Sequence, residues 1–251
     1  LSSSSAASDV YKRQIQVNFD HKGIFYFKKG SKQKCYIDRC DIADSQINEW
    51  LKEKASKQSI KGKLEIALNG DGGIDLFSVD QHGQSELGFR QVNDEQNLYI
   101  QNQILDLIEK QNLKSVTDLY CGQGNFTLSI AAMNPKIECL GVDINPTNIS
   151  WANDHKQSNT RFLLGDVAKL YDQWSQSTDL TIIDPPRAGC DEAVLDCLSK
   201  TPSPWLAYIS CHPATMARDL KILLSSGWQI HRIQPVDMFP QTSHLECLTI
   251  L

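Results

Sequence analysis

The chain has 251 residues, 41% of them apolar and 22% charged, a balance that leaves room for one large domain or a medium domain with a smaller companion. No stretch approaches the ~20 consecutive apolar residues of a membrane span and no secretory h-region appears, so no membrane association is expected and the cytoplasm is the expected compartment. A net charge of −5 excludes a surface that is basic all over, but not an RNA substrate met by a local basic strip. Eight cysteines without a Cys-x-x-Cys pair predict reduced thiols rather than a disulfide framework or a self-contained zinc site.

Residues 1–14 read LSSSSAASDVYKRQ. Such low complexity cannot bury a core and is expected to be disordered and non-native, on a chain cut at its N-terminus. From Ile15 short alternating runs (IQVNF, GIFYF, KCYID) predict strands broken by Gly and Lys-Gly turns. Lysines cluster here, among them Lys22, Lys28, Lys34 and Lys63, a run read first as a solvated face. Apolar Ile42, Ile47 and Leu51 at helical spacing predict a helix from about Ile42 to Lys57. Strands are expected at Lys63–Leu68, Ile74–Val79 and Leu87–Val92, the first two joined by the Asn69–Gly73 turn. Residues 15–92 therefore form a small α+β central domain.

From residue 93 the pattern changes. A helix from about Asp94 to Gln111 leads into strand–helix alternation with strand cores at Ser115–Leu119, Glu138–Val142, Arg161–Leu164, Leu180–Ile183 and Trp205–Ile209. This predicts an α/β domain over residues 93–251 with a doubly wound, mostly parallel sheet. The runs Gln229–Ile233 and Glu246–Leu251 lack an intervening helix and predict an antiparallel edge pair.

Four motifs at strand ends carry the chemistry. Asp118-Leu-Tyr120-Cys-Gly122-Gln-Gly124-Asn125 leaves a strand and enters a helix, where glycines let a ligand approach the backbone. Asp143, at the end of the next strand, suits both hydroxyls of a ribose. The loop has Thr127 where a dinucleotide fingerprint needs its third glycine, which disfavours a nicotinamide oxidoreductase. Asp184-Pro-Pro-Arg187-Ala-Gly189 follows the fourth strand, and proline after the acid imposes an extended backbone that projects Asp184 into the crevice. Arg187 stands where amino-directed methyltransferases place a stacking aromatic. Ser210-Cys211-His212-Pro213 puts a thiol just before a helix, whose N-terminal field predicts a pKa below the usual ~8.5. His244-Leu-Glu246-Cys247 closes the set, with Glu246 and Cys247 on opposite faces of a strand. Taken singly, each motif also reads as an ordinary turn, a buried thiol or a solvated acid.

Together, and with Phe89-Arg90-Gln91-Val92-Asn93, these motifs resemble the RNA uracil-5 methyltransferase family, above all the branch that modifies large-subunit ribosomal RNA. The likeness runs from about Gly23 to Leu251. It implies S-adenosylmethionine as cofactor and methyl transfer to carbon 5 of a uridine in 23S ribosomal RNA through a covalent Cys–uracil intermediate. It further implies Cys211 as nucleophile and Glu246 as general base. Gln91, Tyr120, Asn125, Asp143, Asp166 and Asp184 become cofactor or base contacts, with Gly122 and Gly124 in the cofactor loop. Cys40, in Asp38-Arg39-Cys40-Asp41, matches the family's last iron–sulfur ligand, a metal ligand whose three partners are missing from this chain, so a 4Fe-4S cluster is expected only in a longer protein. The family's N-terminal RNA-binding barrel is likewise missing. His212 stands where the family commonly has Asn. RNA is the expected partner and no obligate protein partner is indicated. The alternatives are a transfer-RNA uracil-5 methyltransferase and a catalytically silent RNA-binding protein on the same fold.

Overall fold

In a computed structural model, the structure describes residues 14–28, 30–54, 62–68, 73–79, 93–176, 178–201, 203–238 and 245–251. The chain divides into two compact units, Leu1–Asn93 and Asp94–Leu251.

The first unit is an antiparallel five-stranded sheet with one helix. Its strands are β1 (Gln14–Asp20), β2 (Gly23–Phe27), β3 (Lys34–Ile37), β4 (Gly62–Leu68) and β5 (Ile74–Ser78), in the spatial order β3-β2-β1-β4-β5. Helix α1 (Ser45–Lys54) lies between β3 and β4 in sequence. Period-two alternation puts Ile15, Val17 and Phe19 on one face of β1, where they form a core with Ile24, Ile66, Leu68 and the helical Ile47 and Leu51. Two expectations need correcting. Gln14, assigned to the disordered leader, is the first residue of β1 and pairs with Ala67. The helix starts at Ser45 rather than Ile42, which is 37% exposed, because the Asp44 side chain accepts from Gln46 N at 2.9 Å and marks the helix start there. The expected strand Leu87–Val92 and most of the Asn69–Gly73 turn lie outside the described residues.

The second unit is α/β. Its strands are β6 (Ser115–Leu119), β7 (Glu138–Asp143), β8 (Thr160–Leu164), β9 (Leu180–Ile183), β10 (Trp205–Ser210), β11 (Arg232–Val236) and β12 (Glu246–Ile250). They form one sheet in the order β11-β12-β10-β9-β6-β7-β8. β6 to β10 run parallel, whereas β12 pairs antiparallel with both β10 and β11. The helices are α2 (Asp94–Gln111), α3 (Asn125–Met133), α4 (Pro146–Asp154), α5 (Tyr171–Trp174), α6 (Glu192–Lys200) and α7 (Pro213–Ser225).

Alternation along β10 feeds a core on each face of this sheet. Ala207 and Ile209 pack with Ile100, Ile104 and Ile108 of α2 and with Phe126 and Ile130 of α3. Leu206 and Tyr208 pack with α6 and α7 through Leu195, Leu198, Leu220 and Leu223. The order of strands reverses at β6, flanked by β7 and β9, so the carboxyl ends of these strands open the crevice where such sheets bind ligands. β11 sits three residues later than the run Gln229–Ile233 predicts. Proline in a run argues against a strand, yet Pro235 falls inside β11, at the sheet's edge, where a missing N–H leaves no ladder bond unmade. Among the described residues, no helix is long and apolar enough to cross a membrane.

Candidate active site

The first motif turns sharply out of β6. Tyr120 has φ +63°, Gly122 +57° and Gly124 +88°, left-handed values that glycine tolerates and tyrosine adopts only under constraint. Burial raises the pKa of the Tyr120 phenol, and the neighbouring Cys190 adds to the rise. A Cβ at Gly124 would meet Leu128 at 2.9 Å and Phe162 at 3.1 Å. This glycine is therefore demanded by protein packing as well as by backbone shape. Beneath the loop, Asp118 is buried and accepts from Thr127 N at 3.1 Å and Thr127 Oγ1 at 2.7 Å. Burial raises its pKa from 3.8 to about 7 despite those bonds, and Asp143 adds to the rise. Asp118 Oδ1 has no hydrogen-bond partner.

Asp143 Oδ2 accepts the main-chain N–H of Gly122 at 2.9 Å, and its Oδ1 accepts that of Asn145 at 2.7 Å. The carboxylate is thus locked between the glycine loop and α4, with lone pairs left for hydroxyls. Asp166, after β8, organises the following turn through Ala168 N at 2.9 Å and Lys169 N at 3.2 Å. Asn125 behaves differently from a free contact residue. Its amide exchanges hydrogen bonds with Asn97 at 2.8 and 2.9 Å and accepts from Gln101 at 3.1 Å, bolting α3 to α2. Gln91 lies outside the described residues.

The remaining residues converge at the ends of β9, β10 and β12. In the antiparallel register Ser210 pairs with Cys247 and Ile209 with Leu248; extended by one pair, it sets Cys211 opposite Glu246. Cys247 packs into the core on the α6/α7 side, so Glu246 faces the other way, the face on which Leu248 and Ile250 lie. Glu246 is 4% exposed, and burial raises its pKa from 4.5 to about 7 against the opposing pull of Arg187. Asp184, at the end of β9, is pushed well above the usual carboxylate range by burial, then by the charges of Glu246 and Asp118.

Cys211 is half-buried, and the lowered pKa expected of it is reversed. Burial raises the thiol above its ordinary value, and the carboxylates of Glu246 and Asp184 add to the rise. Arg187 opposes them and favours the thiolate. Desolvation here outweighs the field at the start of α7. His212 serves as the N-cap of α7: its Nδ1 accepts from Thr215 N at 3.3 Å, a role Asn would also fill.

Sequence reasoning missed two features. Arg187, read there only as the absence of an aromatic, is the cation whose charge favours the ionised forms of both Cys211 and Glu246. Asp219 is fully buried on α7 and accepts from the Tyr208 hydroxyl at 2.6 Å. Its signal was present: Met216, Asp219, Leu220 and Leu223 share one helical stripe, and an acid in a core stripe demands partners.

Cys40 belongs to the small unit's core, where its sulfur accepts from the Tyr26 hydroxyl at 3.7 Å and its main chain is bonded to Asn48. All eight cysteines are described, and none is disulfide-bonded. Among the described residues no group of three or more His, Cys, Asp or Glu could hold a metal ion. The residues present do not fit an iron–sulfur cluster.

Comparison with known proteins gives these positions a context. Residues 167–251 match the family model described as tRNA (uracil-5-)-methyltransferase, and residues 116–190 match a methyltransferase domain. An uncharacterized RNA methyltransferase of Thermosynechococcus vestitus is 39% identical over 168 residues, covering 65% of this chain and 37% of its own length. One from Bdellovibrio bacteriovorus is 31% identical over 256 aligned positions, covering 96% of this chain and 64% of its own length. The chain thus spans less than two thirds of either relative. Among solved structures, the tRNA (uracil-54, C5)-methyltransferase of Pyrococcus abyssi, in complex with S-adenosyl-L-homocysteine, superposes with a TM-score of 0.76 at 20% identity, covering 96% of this chain and 76% of that one. The sheet is a methyltransferase fold, and the C-terminal third of the chain matches the tRNA (uracil-5-)-methyltransferase family.

Proposed function

We propose that this chain takes part in methylating carbon 5 of a uridine in RNA, with Cys211 as nucleophile and Glu246 as base. One observation carries the reading: the Ser210–Cys247 pairing of β10 with β12, extended by one position, sets Cys211 opposite the buried carboxyl of Glu246, and the charge of Arg187 favours the ionised form of both. Carbon 5 of uracil is a poor nucleophile. Bond formation between the Cys211 sulfur and carbon 6 moves the ring's electron pair toward the carbon-4 oxygen and makes carbon 5 nucleophilic. S-adenosylmethionine, when bound, supplies the electrophilic methyl group. Glu246 then takes the proton from carbon 5; the pair left behind restores the ring double bond, and the carbon–sulfur bond breaks to release the Cys211 thiolate. Arg187 offsets negative charge beside the thiolate and the carboxylate.

The residues fit a cationic cofactor. Asp118, Asp184 and Glu246 all have raised pKa values from burial, with mutual repulsion contributing at Asp184, a site whose charge a sulfonium would relieve. Asp143 would hold ribose hydroxyls. Asp166, Tyr120, Asp184 and the Gly122–Gly124 loop would line the rest, with Asn125 contributing from its main chain and Gln91 through the base. The RNA is proposed to be 23S ribosomal RNA, on the match of Cys40 to the ribosomal branch. A transfer RNA is the second reading, favoured by the family matched at residues 167–251.

RNA carrying 5-fluorouridine has no proton for Glu246 to remove, so it should trap a covalent complex with the intact protein and S-adenosylmethionine. Ribosomal and transfer-RNA stem-loops offered separately would identify the target. An adduct that persists in Cys211→Ala would overturn the nucleophile; no adduct with either RNA would overturn the reaction.

A further inference from the structure

The loop that carries Arg187 is clamped onto α7 by an ion pair placed beneath it. Asp219 Oδ2 accepts from the Tyr208 hydroxyl at 2.6 Å and from Cys190 N at 2.8 Å. Its Oδ1 accepts from Arg218 Nε at 2.8 Å. Arg218 Nη2 in turn donates to the carbonyls of Ala188 at 2.9 Å and Cys190 at 3.2 Å. Between those carbonyls Gly189 has φ +80°, and a Cβ there would fall 2.5 Å from Asp219 Oδ2 and 2.6 Å from Arg218 Nη2. Only glycine lets the chain lie so close to the ion pair. One residue before this clamp, the Arg187 carbonyl accepts from Thr215 Oγ1 at 3.2 Å, again on α7. Since α7 begins two residues after Cys211, the loop bearing the guanidinium and the helix following the thiol are joined into one piece.

Burying a carboxylate is a poor way to stabilise a helix face, because an apolar side chain does as well without the desolvation cost. A buried acid that accepts from the loop, the neighbouring strand and an arginine at once specifies a geometry instead. We propose that Asp219, together with Arg218, is a positioning residue for the Cys211 site: it fixes the Ala188–Cys190 loop, and with it the neighbouring Arg187, relative to the helix that follows Cys211. The purpose of that arrangement rests on the uracil-methyltransferase reading; the arrangement itself does not.

The test reads the thiol directly. Peptide-resolved iodoacetamide labelling of the intact protein across pH 6.5–9.5 follows the Cys211 thiolate without RNA or S-adenosylmethionine. Arg187→Ala removes the stabilising charge and should slow labelling at neutral pH by about threefold to tenfold. Asp219→Asn should slow it equally, and the double variant no further. Gly189→Ala and Tyr208→Phe disturb the same clamp from the loop and the strand; they should move the profile in the same direction and decide the matter if Asp219→Asn does not fold. Three results would overturn the proposal: clamp variants with an unaltered Cys211 profile, an Arg187→Ala profile unchanged, or effects that multiply in the double variant. Normal labelling shifts with no 5-fluorouridine adduct would sink the methyltransferase reading and leave the clamp standing. An adduct with unmoved labelling would do the reverse.

Discussion

Two buried carboxyls, Asp118 and Glu246, have pKa values near neutrality for different purposes. For Glu246 the value of about 7 sets when it can act as a base. Turnover should rise with pH through about 7 as the carboxyl ionises, and pre-steady-state methylation between pH 5.5 and 9 would show it. Glu246→Gln should lose about 10²-fold or more in turnover while the covalent RNA complex accumulates on gel electrophoresis; unchanged turnover would assign proton removal to another group. Asp118 sits beneath the glycine loop, and its raised value also bears on stability. A folded-state pKa above the unfolded one stabilises the protein at low pH, and that contribution is lost as pH rises through the folded value. For Asp118 the window runs from 3.8 to about 7. Asp118→Asn should therefore flatten the decline in unfolding free energy over that range and exceed the parent at pH 8 by as much as about 4 kcal/mol. Urea denaturation at pH 5 and pH 8 measures both.

At the scale of elements, what sequence reveals depends on whether burial or partnership decides the structure. β6 and β9 match their predicted limits, and α2 does too, because apolar runs and helical spacing report burial directly. β11 was misplaced because Pro235 is harmless only on an edge strand, and strand order is not written locally. The site was half legible. Cys211, Asp184 and Glu246 stand out by residue type at strand ends, but the upward shift of the thiol comes from burial, to which two carboxylates 27 and 35 residues away in sequence add. Asn125 is the converse case: read as a contact, it joins two helices. Asn125→Ala removes the side-chain acceptor of the 6% exposed Gln101, leaving it the main-chain carbonyl of residue 125 at 3.1 Å, and removes the exchange with Asn97. Losing these side-chain hydrogen bonds between α2 and α3 should cost about 1–3 kcal/mol, measurable by chemical denaturation, with Asn125→Ser recovering less than half.

The second unit as a whole presents an acidic crevice with Arg187 as its opposing cation, and this yields a prediction about ligand charge rather than any single residue. Binding a sulfonium favours the ionised forms of Asp118, Asp184 and Glu246, so protons leave as it binds. Affinity for S-adenosylmethionine should tighten by about threefold to tenfold between pH 6 and pH 8. S-adenosylhomocysteine, whose sulfur is neutral, should change by less than about twofold. Calorimetry in buffers of different ionisation heat would count the protons released; equal pH dependence for both ligands would remove the crevice's charge from the account.

The insertion of β12 between β10 and β11 bears on how the molecule is made. β11 precedes β12 in the chain yet joins the sheet only through it. A nascent chain synthesised as far as Val236 therefore holds an unpaired β10 edge lined by Ala207, Tyr208 and Ile209, with a β11 that has nothing to pair with. Such an edge is a template for other strands. The residue proposed as the base, Glu246, arrives on the same segment that closes it. Interrupted or frameshifted products would accordingly be both inert and adhesive, which makes them natural clients of chaperones and proteases.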